Sequence, residues 1–68
     1  MDNFLILQED KMAIEITNNV VFAYDIDMFN NILTNTQGKL LEINKSVFNK
    51  IENYYNINLT NYGVECID

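Results

Sequence analysis

The sequence predicts an α+β fold, in which a small antiparallel sheet of three or four strands is packed on one face by one or two helices. The first 25 residues contain three strand-like runs, and the connectors between them are too short for a crossover helix, so the strands must pair antiparallel. An amphipathic stretch from about Lys45 to Tyr55 supplies the clearest helix. With 68 residues, the chain has room for a single small domain, residues 1–68.

The N-terminal strands form a meander. Residues 3–8 are apolar at their centre, whereas residues 12–17 and 20–25 alternate between apolar and polar side chains, as half-buried strands do. A short polar turn at residues 9–11 joins the first pair. Two asparagines, residues 18–19, join the second pair, because asparagine tolerates the positive φ that a tight hairpin requires.

Residues 26–35 favour a second, shorter helix. Ile26, Phe29 and Leu33 recur at helical spacing, and Asp25 stands before them as a potential N-cap. The alternative is a hairpin that pairs residues 31–35 with residues 39–43. With the helix in place, Leu40, Leu41 and Ile43 form a short buried strand that could join the sheet.

The helix from about Lys45 to Tyr55 has Ser46 as its expected cap, and Asn56 can close it in the left-handed conformation. Beyond it, residues 59–67 are compatible with an edge strand or with a short helix. The second reading would complete a helix-turn-helix, with residues 60–68 as the recognition helix. That segment has no Lys or Arg and two acids, so direct binding of nucleic acid is not expected.

Composition restricts the chemistry. The chain has no His, Arg, Trp or Pro, its net charge is -6, and its single thiol is Cys66, which we expect to pack as a small apolar side chain. One thiol without an imidazole cannot build a zinc site, and Asp25 with Asp27 suits a helix start better than a cation site or an acid–base pair. We therefore predict no catalytic residues, no metal and no cofactor. The bias toward Asn and Ile is typical of AT-rich genes, including those of phages.

Tyrosines and acids are the candidate partner-binding residues. Tyr55 and Tyr62 are expected to be partly exposed anchors, although most aromatic side chains should lie in the core of so small a domain. Four acids could imitate the charge of a nucleic acid toward a basic protein, and these are Glu9, Asp10, Asp25 and Asp27.

The leading hypothesis is a small acidic, non-enzymatic protein-binding module that inhibits a nucleic-acid-processing partner by occupying its basic surface. The alternatives are a DNA-binding regulator of the helix-turn-helix type and an assembly subunit that forms homo-oligomers through a sheet edge. Residues 4–7 are apolar but too few for a signal peptide or a membrane span. A cytoplasmic location without membrane contact is therefore expected.

Overall fold

A computed structural model describes residues 4–27 and 32–67, with residues 27 and 32–37 described by their backbone alone. It confirms the predicted α+β fold, since a four-stranded antiparallel sheet is packed against one α-helix. Two 3₁₀ helices and a pair of very short strands complete the described residues. In chain order the elements are β1 (Leu5–Leu7), a first 3₁₀ helix (Gln8–Asp10), β2 (Met12–Thr17), β3 (Val20–Asp27), β4 (Ile32–Lys39), β5 (Glu42–Ile43), α1 (Lys45–Tyr55), a second 3₁₀ helix (Leu59–Tyr62) and β6 (Glu65–Cys66).

The sheet has the strand order β1-β2-β3-β4, so that each strand pairs with its neighbour in sequence. The predicted hairpin is confirmed, because Asn18 and Asn19 have φ values of 52° and 63° and join β2 to β3. Between β1 and β2 the chain turns through the first 3₁₀ helix, which Lys11 ends at a φ of 56°. Local turn chemistry therefore sets the register of the first three strands.

The helix predicted for residues 26–35 is wrong, and so is the alternative hairpin. Asp25 lies within β3 rather than at a helix cap, and β4 pairs antiparallel with β3 along residues 32–39. Residues 28–31 of the predicted helix, and residue 31 of the predicted hairpin, lie outside the described part of the chain. This segment forms a strand because pairing with β3 satisfies its backbone hydrogen bonds, and because it is rich in Thr and Asn, which are weak helix formers.

The edge strand β4 is irregular. Ala23 opposes Gly38 and Tyr24 opposes Thr36, so one residue of β4 is skipped between these pairs, and a second skip follows Asp25. Each skip is a β-bulge, and Gly38 adopts the positive φ of 92° that such irregularities favour. Bulges twist an edge strand and hinder the addition of a further strand.

The α-helix has the predicted bounds but a different cap. Asn44, rather than the predicted Ser46, accepts the N–H of Val47 on its side-chain oxygen at 2.9 Å. Asn56 closes the helix in the left-handed conformation at a φ of 58°, as predicted. Val47 and one further residue of this helix, Ile51, are fully buried against the sheet.

The C-terminal segment returns to α1 and pairs with the strand before it. β5 joins β6 in a parallel pair instead of joining the main sheet, with Ile43 opposite Cys66. The second 3₁₀ helix and β6 occupy the segment where a recognition helix was considered, so the described residues do not form a helix-turn-helix. Cys66 is exposed, which corrects the expectation that its thiol packs inside.

The buried core is entirely aliphatic. Its members come from both the sheet and the C-terminal half, and they are Leu7, Ala13, Ile14, Val21, Ala23, Ile43, Val47, Ile51, Leu59 and Val64. The expectation that most aromatic side chains lie in the core is wrong for the described residues, none of whose aromatic rings is fully buried. Phe48, Tyr55 and Tyr62 instead pack at the margin of the core.

Candidate partner-binding surface

Three of the four tyrosines meet in one groove on the surface. We call it the tyrosine groove, and it has a volume of about 510 Å³ and is lined by Ile16, Tyr54, Tyr55, Ile57 and Tyr62. The last turn of α1 contributes two of the tyrosines, the second 3₁₀ helix contributes the third, and β2 contributes Ile16. Separate elements of the fold thus converge on one groove, whose tyrosine and isoleucine residues expose polar as well as apolar atoms.

The two tyrosines of α1 differ in how firmly their side chains are held. The Tyr55 hydroxyl donates a hydrogen bond to the carbonyl oxygen of Ile14 at 3.0 Å, and burial raises the pKa of Tyr55, with the neighbouring Tyr54 adding to the shift. Tyr54 is 57% exposed, and its ring stands at 84° to that of Tyr55 with 4.9 Å between the centroids. Tyr55 is therefore fixed to the sheet, whereas Tyr54 presents most of its ring to solvent.

Tyr62 is held in place through the chain that precedes it. The Glu52 carboxylate accepts the N–H of Leu59 at 2.8 Å, and the side chain of Leu59 is fully buried. The Asn58 side chain caps the second 3₁₀ helix by accepting hydrogen bonds from the Thr60 N–H at 3.3 Å and from the Thr60 hydroxyl at 2.7 Å. These contacts fix the 3₁₀ helix, and so they fix the third wall of the groove.

The predicted acids lie together at the opposite end of the sheet. Lys50 of α1 stands between two of them, 3.1 Å from a carboxylate oxygen of Asp10 and 3.6 Å from one of Glu9. The hydrogen bond to Asp10 is the main cause that raises the pKa of Lys50. One lysine therefore offsets part of the charge of this pair.

Asp25 and Asp27 belong to the same end. Asp25 pairs across the sheet with Met12, and the next residue, Ile26, donates its N–H to the Lys11 carbonyl at 3.2 Å. The backbone of Asp27 ends β3 there, and its side chain lies outside the described part. Met12, opposite Asp25, lies four positions before Ile16 of the tyrosine groove on β2, a distance of roughly 13 Å at the usual rise of a strand.

A second concavity, of about 740 Å³, lies beside β5. Its apolar lining includes Met12 and Ile43, and charged residues of both signs stand at its rim, namely Asp25, Lys39 and Glu42. Mixed charge without an exposed aromatic ring makes this cleft a weaker candidate than the tyrosine groove.

On the outer face of the sheet, opposite α1, several side chains contact one another. The Phe4 and Tyr24 rings meet edge to face with centroids 5.5 Å apart, and the Tyr24 hydroxyl donates to a carboxylate oxygen of Glu15 at 2.6 Å. Ala13 on this face is fully buried, and Ile6 is 49% exposed. The aromatic side chains here are engaged with their own strands.

Tyr55 and Tyr62 were predicted from residue type, but Tyr54, Ile16 and Ile57 were not. Tyr54 follows Ile51 by three positions, which places it about 60° from Ile51 around the helix, at the border of the buried stripe. That offset is a usable signal for exposure. The contribution of Ile16 depends on the docking of α1 against β2, which no local pattern reveals.

Within residues 4–27 and 32–67, no three Cys, Asp or Glu side chains converge in a way that could hold a metal ion. The same residues contain no helix with the length and apolar character needed to cross a bilayer. Comparisons with protein families, with curated proteins and with solved structures found no match.

Proposed function

We propose that this chain is a non-enzymatic protein-binding module whose partner docks on the tyrosine groove. The observation that carries the proposal is that, in the described residues, the buried core is aliphatic and three tyrosines gather in one surface groove, with Tyr54 exposed and Tyr55 and Tyr62 partly buried. Tyrosine supplies large contact area with little conformational entropy to lose, and it is enriched where partner proteins bind tightly. Three tyrosines in one groove, with Tyr55 already fixed by a hydrogen bond, are a prepared contact surface.

Charge supports one form of this function, namely inhibition of a nucleic-acid-processing enzyme by occupation of its basic surface. The net charge of -6 attracts a basic partner over a distance and speeds the encounter. At roughly 13 Å in water, one acid contributes only about 0.3 kcal/mol to a cation in the groove. The acidic end therefore steers the partner, and the groove supplies most of the binding energy.

Self-association through the sheet edge has weaker support. The edge strand β4 carries two bulges, and the other edge, β1, is three residues long. Both features hinder strand addition.

Photo-crosslinking tests the proposed docking surface. Benzoylphenylalanine is introduced in place of Tyr54, which is 57% exposed, and in a matched control in place of Ile67, which is 58% exposed on another part of the surface. In cells that naturally make this protein, one defined partner should crosslink at the groove position and not at the control position. The purified pair should then show a binding constant that the substitution Tyr54→Ala weakens. If the same proteins crosslink equally well at both positions, the groove is not the contact surface.

The inhibitory form has its own test. The association rate of the purified pair should fall steeply as sodium chloride is raised, because salt screens steering between opposite charges. The partner's activity on nucleic acid should fall as it is saturated. Salt-insensitive association would exclude the charge-based form and leave the binding module in place.

A further inference from the structure

We infer that the tyrosine groove receives a positively charged side chain, the guanidinium of an arginine in a basic segment of the partner protein. This inference rests on the proposed function and specifies what the groove binds. Its premise is the chemistry of the lining, which is three aromatic rings and two isoleucines without a charged group. The face of an aromatic ring carries partial negative charge and attracts a cation that approaches it, arginine more often than lysine.

No lysine of the chain lines the tyrosine groove. The four lysines of the chain all lie outside the lining, and Lys50 is already engaged by Glu9 and Asp10 at the acidic end. Lys39 lines the cleft beside β5. A cation from the partner therefore meets no competing lysine in the groove lining, and the net charge of -6 favours its approach.

The arrangement of the rings suits a flat cation with an aliphatic stem. The Tyr54 and Tyr55 rings meet edge to face, so this contact covers part of one ring, and Tyr54 leaves more than half of its surface open. A guanidinium can lie against one face while its methylene stem contacts Ile16 or Ile57. The hydroxyl of Tyr55 bonds the Ile14 carbonyl, which holds the Tyr55 ring in place beside Tyr54.

The test is a titration followed by NMR, using a short capped peptide of alternating arginine and glycine. Its matched counterpart carries citrulline, which has nearly the shape of arginine but no charge. The arginine peptide should shift the signals of the groove residues, and the citrulline peptide should bind at least about threefold more weakly, as expected for a cation on an exposed ring. Equal affinity of the two peptides, or shifts confined to the acidic end, would overturn the inference.

Substitutions at Tyr54 separate ring chemistry from simple apolar contact. Tyr54→Phe keeps the aromatic face and should retain affinity for the arginine peptide, whereas Tyr54→Leu should lose about threefold or more. Ile67→Leu, at a site of equal exposure, should change nothing. Because these positions are exposed, the variants should fold, and the dispersion of their amide signals checks that they do. Full affinity of Tyr54→Leu contradicts cation binding.

The two proposals fail in different ways. If crosslinking finds a partner at Tyr54 but arginine and citrulline peptides bind equally, the binding module stands and the cation inference falls. If neither a partner nor an arginine peptide contacts the groove, both fall.

Discussion

Replacing Glu52 with alanine should loosen the join between α1 and the C-terminal segment. Glu52 begins the last turn of α1, and its carboxylate accepts the N–H of Leu59 at 2.8 Å. Leu59 is the first residue of the second 3₁₀ helix and is fully buried. The first N–H groups of a helix have no partner within it, so removal of the carboxylate leaves this donor unsatisfied.

The magnitude follows from the type of bond. A hydrogen bond to a charged group contributes about 1.5–3 kcal/mol, and alanine regains about 0.4 kcal/mol through its better helix propensity. The expected loss is therefore about 2 kcal/mol. A chain of this length has a total stability of about 3–10 kcal/mol, so the loss is a substantial fraction. Glu52→Gln keeps an acceptor oxygen and should lose about 1 kcal/mol less.

Urea unfolding followed by circular dichroism measures the effect. With a denaturant slope of about 1 kcal/mol per molar, the midpoint of Glu52→Ala should fall by about 2 M. Asn53→Ala is the matched control, because Asn53 is exposed and adjacent on the same helix. It should change stability by less than about 0.5 kcal/mol. Equal midpoints for Glu52→Ala and Asn53→Ala would refute the claim that this carboxylate anchors the C-terminal segment.

Three further predictions concern the core, a helix cap and an alkaline titration. Ile51→Ala should lower the free energy of unfolding by about 2–5 kcal/mol because Ile51 is fully buried. Ile67→Ala, at an exposed position, should lower it by less than about 0.5 kcal/mol. Similar losses for the two variants in urea titrations would contradict the assigned core. Asn56→Gly should raise the melting temperature and Asn56→Ala should lower it, by about 1 kcal/mol in stability, since the φ of 58° disfavours a β-carbon; melts with the opposite order would disprove the left-handed cap. The hydrogen bond to Glu15 raises the pKa of Tyr24, so the stability it contributes is complete below about pH 10 and is lost as the pH rises through the folded-state pKa. Urea titrations from about pH 8 to about pH 12 should show a shallower alkaline decline for Tyr24→Phe, and an unchanged decline would count against this coupling.

The elements that were predictable from the sequence are those encoded within a short window. The turn at Asn18 and Asn19 needs only two residues that accept positive φ between alternating strands, and both conditions are visible in the sequence. The bounds of α1 follow from one apolar stripe and the closing Asn56. The cap differed from the prediction because Asn44 and Ser46 are both competent acceptors two positions apart, and local propensity does not choose between them.

The structure of residues 26–35, which was predicted wrongly, is determined by contacts between residues distant in sequence. Ile26 and Leu33 have helical spacing, yet they are partners across the β3–β4 pair, which two bulges bring into register. A periodicity argument has no means to anticipate bulges, because each one shifts the alternation by a residue. The parallel pairing of β5 with β6 likewise depends on the return of the chain past α1.

The candidate site was likewise predictable only in part. Residue type alone selects Tyr55 and Tyr62, because large amphipathic rings are candidates for contact wherever they lie. Residue type also selects Glu9 and Asp10, but it does not show that Lys50, about forty positions later, stands between them. The sequence thus indicates the members of a surface more readily than their neighbours.

The aliphatic core bears on why the tyrosines lie at the surface. Full enclosure of a large side chain contributes about 1.5–3 kcal/mol relative to leaving it exposed. That amount is a substantial fraction of the whole expected stability of a domain of this length. Tyr54 forgoes most of it, while Ile51, one turn earlier on the same helix, is completely enclosed. Since a small domain gains the most from enclosing its largest side chains, the exposed ring of Tyr54 beside a closed aliphatic core leaves burial that the proposed docking would complete.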